Sequence, residues 1–198
     1  MSDQKDRLHI REMREFRLAV HPPPGIQVQW LQPSALGRSF TLVCGEYLLA
    51  TLEFTSAFGS LAKATCSEGC WTFKRVGFFN PRVTVRKLDE ETDLGIYHPR
   101  WTGSEGRLEM RSGASFTWRT ANFWATRYVW VDQSETELIT YSSGAASSKL
   151  KDAFKNQARL DFAPAASLLA DLPLLALLGW YLIELHHEDS AAGITAVT

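Results

Sequence analysis

Two patterns of apolar residues divide the chain. From Ile26 to about Tyr141 the apolar positions come in short runs, many of them alternating with polar ones. Ile26, Val28 and Trp30 alternate with Gln27 and Gln29. Trp71 and Phe73 alternate with Thr72 and Lys74, and Val83 and Val85 with Arg82, Thr84 and Arg86. A period of two is that of a strand with one dry face and one wet face. Further runs lie at Phe40–Val43, Tyr47–Phe54, Leu94–Tyr97, Arg107–Met110, Ala114–Trp118, Phe123–Val131 and Glu137–Tyr141. Turn chemistry separates them, at Asp89–Asp93, Thr102–Gly106, Arg111–Gly113 and Asp132–Ser134. Short strands recurring at roughly 8–12 residues with such turns predict an all-β sandwich or barrel.

The second pattern is the run Leu172–Ile183, which has no polar face. It is shorter than the roughly 20 apolar residues of a bilayer-spanning helix. It opens on Asp171-Leu-Pro173, an acid at the N-cap followed by proline in the first turn. A helix apolar on every side must be enclosed on every side. A barrel of about twelve strands has an interior too wide for its own side chains to fill. Helix and barrel therefore complete each other. The predicted fold is mainly β, a roughly twelve-stranded closed antiparallel barrel around a C-terminal apolar central helix at about 168–187. A barrel filled by its own helix is expected to hold no internal pocket. The rival reading is a single membrane span, for which Lys149, Lys151, Lys155 and Arg159 before the run and acids after it have the right polarity.

Three segments follow. Residues 1–24 form a charged N-terminal arm, a short helix or a loose tether, ended by His21-Pro-Pro-Pro-Gly25 because proline stops a helix. Residues 25–189 are the barrel, with Lys149–Arg159 as an amphipathic helix or a lead-in strand. Residues 190–198 are a flexible tail.

Composition narrows the function. Aromatic residues at 12% suit a fold with much sheet surface to cover. A net charge of −1 gives no global basic excess, so nucleic acid is not expected as a partner, and Asn122-Phe123-Trp124 and Trp130 read as strand-face or core aromatics. Cys44, Cys66 and Cys70 are odd in number, and the first twenty residues hold no apolar run. Both point to a reducing cytoplasmic setting. Cys66-x-x-x-Cys70 lacks zinc-ribbon spacing and a fourth thiol, so neither metal nor other cofactor is expected. None of the five histidines falls in a nucleophile, metalloprotease or phosphate-loop motif. No catalytic residue is assigned and the chain is read as no enzyme.

One local feature stands out in the charge. Between Trp71 and Leu88 lie Lys74, Arg75, Arg82, Arg86 and Lys87, with no acid. Alternation puts Arg82, Thr84 and Arg86 on one outward face, with Lys74 across from them on the next strand. Lys74, Arg82 and Arg86 are the candidate lipid- or phosphate-binding residues. The competing reading is solvated structural charge, with Asp89–Asp93 neutralising Arg86 and Lys87.

The strand pieces Trp71–Arg75, Arg82–Arg86 and Ser115–Trp118, followed by the terminal Leu172–Leu182, resemble the tubby-like superfamily. That group includes the tubby C-terminal domain, the LURP-one-related proteins and the phospholipid scramblases. The resemblance runs from about Ile26 to His187. It implies a twelve-stranded barrel threaded by its last helix and a non-enzymatic binding module. It also implies anionic phospholipid head groups as ligand, at the inner membrane face. Two scramblase features are missing: a Cys-rich palmitoylation run, and a calcium loop, since Asp89–Asp93 lacks the glycine and the ligand spacing. A protein-interaction or scaffold domain with no lipid role is the alternative, and a protein tethered to the membrane by its last helix is the third.

Overall fold

The computed structural model describes residues 13–34, 37–100, 105–122, 126–143 and 157–195. Twelve antiparallel strands close into a barrel. In chain order they are β1 (Val28–Leu31), β2 (Ser39–Cys44), β3 (Tyr47–Phe54), β4 (Ala62–Cys66), β5 (Gly69–Val76) and β6 (Arg82–Lys87), then β7 (Asp93–Pro99), β8 (Glu105–Met110), β9 (Ser115–Thr120), β10 (Arg127–Val131), β11 (Glu137–Ser143) and β12 (Gln157–Phe162). Each strand pairs with the next, and β12 closes on β1 with Val28 opposite Leu160. A closed barrel leaves no unpaired edge.

The predicted fold class stands. A helix runs from Leu172 to Thr195; its part from Leu172 to Leu185 lies inside the barrel, with every residue buried. Among the described residues no helix is long and apolar enough to cross a membrane.

The helix is off-centre, and side-chain size on the two walls shows why. Its backbone comes nearest to β3, β4 and β5. The inward residues there include Ala50, Ala62, Ala64 and Cys66, all fully buried and small. On the opposite side of the ring the gap is filled by Trp118, Trp130 and Tyr141. Trp130 Nε1 and Tyr141 Oη both donate to the Leu175 carbonyl at 3.0 Å, and Tyr141 Oη also reaches the Ala176 carbonyl at 3.0 Å. Gly179 makes this approach possible: a Cβ there would meet Tyr141 Oη at 2.4 Å and Cζ at 2.5 Å. Higher up, Trp180 stacks on Trp30 with centroids 5.6 Å apart and planes 8° from parallel.

Several expectations need correction. β4 has no counterpart among the predicted runs, because Ala-Lys-Ala-Thr-Cys carries none of the bulky residues that mark a strand. The segment before the helix is a strand, β12, over its described part, while residues 144–156 lie outside the description. Phe123 to Ala125, expected to open β10, also lie outside it. The helix begins later than 168, because Pro164–Leu168 forms a 3-10 turn first. It continues through the expected tail to Thr195, since Glu188-Asp-Ser-Ala-Ala contains nothing that breaks a helix.

The described part of the N-terminal arm is docked on the barrel. Arg17–Val20 is a short helix, and Met13, Phe16 and Ala19 are buried. Phe16 meets Phe162 edge-on at 6.0 Å, and the Phe16 amide donates to Glu68 Oε1 at 2.6 Å. This segment plugs the end of the barrel where the central helix starts.

Candidate functional site

The opposite end, where the central helix emerges, carries the features that can act. β3 and β5 run in the same direction, so the β3–β4 and β5–β6 hairpins turn side by side at that mouth. Lys74 faces Thr84 across β5–β6, and Arg82 faces Val76. Phe73, Val83 and Val85 are buried in the core, so Lys74, Arg82, Thr84 and Arg86 take the outward parity, as alternation predicts.

The three candidate cations do not form one cluster. Arg86 is four residues from Arg82, about 13 Å along the strand. It is held by Asp93, whose Oδ1 accepts from Arg86 Nε at 2.6 Å beside a register shift in β6–β7. Thr84 is nearly covered and donates to the Lys74 carbonyl at 3.3 Å. Lys74 and Arg82 are exposed, and neither side chain has a hydrogen bond or ion pair among the described residues. A diagonal cross-strand pair lies about 7–8 Å apart at the backbone, close enough for both long side chains to meet one anion.

Sequence reasoning missed the tip of this hairpin. Phe78 and Phe79 are 90% and 96% exposed, and their rings pack edge-to-face at 5.1 Å. Gly77 sets the turn at φ +86°, where a Cβ would strike the Asn80 carbonyl oxygen at 2.6 Å. On the neighbouring hairpin Phe58 is wholly exposed. The signal was legible as Gly-Phe-Phe-Asn-Pro between two strands, two large apolar residues placed where a turn must face solvent.

Behind the tip lies a pocket of about 470 Å³. The expectation of a barrel without internal space fails here. The helix hugs β3–β5, and on the far side near its end Val83, Tyr97, Trp118, Tyr128, Leu182 and Leu185 face the gap. Phe78, Phe79, Arg75, Arg82, Arg100, His186 and Asp189 stand around the opening. Arg75 is engaged by both oxygens of Asp189, at 2.9 and 2.7 Å, and Arg100 by Glu105 at 2.9 Å. Burial pushes the Tyr97 and Tyr128 hydroxyls up, with Glu105 adding to the effect on Tyr97.

Two arginines fasten the helix to this mouth. Arg38 pairs with Glu188, donates to the carbonyls of Ser56 and Gly59 at 2.7 and 2.8 Å, and stacks over Phe54 at 4.0 Å. Arg75 holds Asp189. Below them Tyr181 Oη donates to the Ser60 carbonyl at 2.6 Å and accepts the Arg75 amide at 3.1 Å.

Trp130 is fully buried against the helix, and Phe123 and Trp124 lie outside the described residues. Cys44, Cys66 and Cys70 are unbridged, and burial pushes the Cys66 thiol up to about 12. Among the described residues no His, Cys, Asp and Glu side chains gather as a metal site. Burial lowers His187, with His186 beside it adding to the effect. In comparisons with known proteins the chain matches no family model, no curated protein and no solved structure.

Proposed function

We propose that this chain is a non-enzymatic binding module of the tubby-like type that docks peripherally on anionic membrane lipid. The observation that carries the reading is the β5–β6 hairpin. It presents two exposed phenylalanines at its tip and two cations without acid partners among the described residues, Lys74 and Arg82, on its outer face. Exposed phenylalanine is unfavourable in water, and its burial in an interface contributes roughly 1.5–3 kcal/mol per side chain. A cation near an anionic membrane surface contributes about 1 kcal/mol. Neither alone anchors a protein, but together they favour one orientation, mouth downward. Arg86 is a weaker contact, because Asp93 already occupies it.

Flotation with phosphatidylcholine vesicles, with and without phosphatidylserine, tests the reading. Binding is expected on anionic vesicles only and should weaken as salt rises. Lys74→Glu with Arg82→Glu should weaken it by at least about thirtyfold, at about 1 kcal/mol per cation lost. Phe78→Ser with Phe79→Ser should weaken it with little change in salt dependence. Absence of the wild-type chain from floated anionic vesicles at low salt rejects membrane docking and leaves a protein partner for the same hairpin.

A further inference from the structure

The mouth pocket calls for an occupant of its own. It is a volume of about 470 Å³ within the roughly 300–1,000 Å³ of small-molecule sites. Its walls are apolar or aromatic: Val83, Tyr97, Trp118, Tyr128, Leu182 and Leu185. Lower in the barrel the same gap beside the helix is closed by Trp130 and Tyr141. Here Tyr97, Trp118 and Tyr128 stand along the wall, and among the described residues they leave the gap open. Surfaces that face such a gap lack dispersion partners on one side, and an apolar chain of small cross-section restores them.

The rim has a definite sign. Among the described residues three arginines border the opening against a single bordering acid, Asp189. Arg75 is taken up by Asp189 and Arg100 by Glu105. Arg82 remains, exposed and without an acid partner among the described residues. Phe78 and Phe79 stand beside it, in reach of whatever passes the opening.

We infer that the mouth pocket is a binding site for a single-chain anionic amphiphile, a fatty carboxylate in its simplest form, with the acyl chain against Leu182, Leu185 and Trp118 and the head group at Arg82. This goes beyond membrane docking and does not depend on it: the hairpin can meet a bilayer with the pocket empty, and the pocket can fill in solution without a bilayer.

The probe is a series of saturated fatty carboxylates of increasing length, each below its micelle concentration, titrated by calorimetry and by tryptophan fluorescence. Affinity is expected to rise about fourfold per added methylene until the pocket is full and then level off. The alcohol of equal length should bind at least tenfold more weakly. Arg82→Ala should remove the difference between carboxylate and alcohol while keeping the dependence on chain length. Leu185→Trp, which fills the space, should abolish binding while the near-ultraviolet circular dichroism stays native. If that variant fails to fold, the length series and the exposed Arg82→Ala still decide the matter. No binding of any chain length overturns the inference, as does affinity that ignores chain length or an Arg82→Ala profile identical to wild type. Lys74→Gln separates the two proposals: it should weaken vesicle flotation and leave the chain-length dependence of carboxylate binding as in wild type.

Discussion

Gly179→Ala reverses an ordinary expectation about helices, and its sign tests whether the helix lies inside the barrel. On an exposed helix the change stabilises by about 1 kcal/mol, because alanine has the better propensity. Here the new Cβ would sit 2.4 Å from Tyr141 Oη, 2.5 Å from Tyr141 Cζ and 2.8 Å from Trp130 Nε1. Both rings are fully buried and cannot swing into solvent. Overpacking of a filled core costs about 1–3 kcal/mol. Pushing the rings back also stretches the bonds from Trp130 Nε1 and Tyr141 Oη to the Leu175 carbonyl, and a buried donor left unsatisfied costs about 1–3 kcal/mol. Set against the propensity gain, the net expected destabilisation is about 1–5 kcal/mol. Urea unfolding followed by tryptophan fluorescence should show the midpoint falling by roughly 0.5–2.5 M at an unchanged slope. Tyr141→Phe is the control, removing the hydroxyl without crowding and costing about 1–2 kcal/mol. Gly179→Ala combined with Tyr141→Leu should cost less than the two single changes together, by at least about 1 kcal/mol. A Gly179→Ala midpoint equal to or above wild type would refute the close approach of Tyr141, and with it the enclosed position of the helix.

Two further outcomes follow from buried and pinned groups. Cys66, Tyr97, Tyr141 and Tyr181 all hold their protons more tightly folded than unfolded, chiefly through burial; the unfolded chain releases them first, so stability is fully present below about pH 9 and falls as pH rises towards about 12. Urea midpoints at about pH 8 and about pH 10.5 should differ in that direction, with tyrosinate absorbance rising together with unfolding, and a flat profile would contradict the burial. Glu188→Gln with Asp189→Asn removes the ion pairs to Arg38 and Arg75 and keeps the Arg38 bonds to the Ser56 and Gly59 carbonyls; partly exposed pairs contribute only about 0–1 kcal/mol each, so the midpoint should move little. Amide exchange at His186–Ala191 should nonetheless quicken by roughly three- to tenfold, and unchanged exchange there would mean the pairs do not hold the helix end.

Two local signals along the chain force the architecture. Alternation in β1, β5 and β6 sorts each strand into a wet and a dry face. A helix without a polar face, too short to span a bilayer, needs an enclosing wall that only such strands can supply. The same alternation placed Lys74, Arg82 and Arg86 outward, where they are found. It did not reveal β4, since Ala62 and Ala64 are chosen for their smallness beside the helix, and smallness is no strand signal.

Three things were decided only in three dimensions. Which wall the helix leans on depends on side-chain volumes around the whole ring, residues far apart in the chain. That choice leaves the space beside Leu182 and Leu185 open and makes the mouth pocket, which no stretch of sequence announces. The separation of the three cations is the second. They share one period in the sequence, but four residues of strand lie between Arg82 and Arg86, and the Asp93 carboxylate takes up Arg86 alone. The third is the shared mouth of the β3–β4 and β5–β6 hairpins, where Phe58, Phe78, Phe79 and Arg82 come to one end of the barrel. Local patterns report which face a residue takes; closure of the ring alone sets which faces meet.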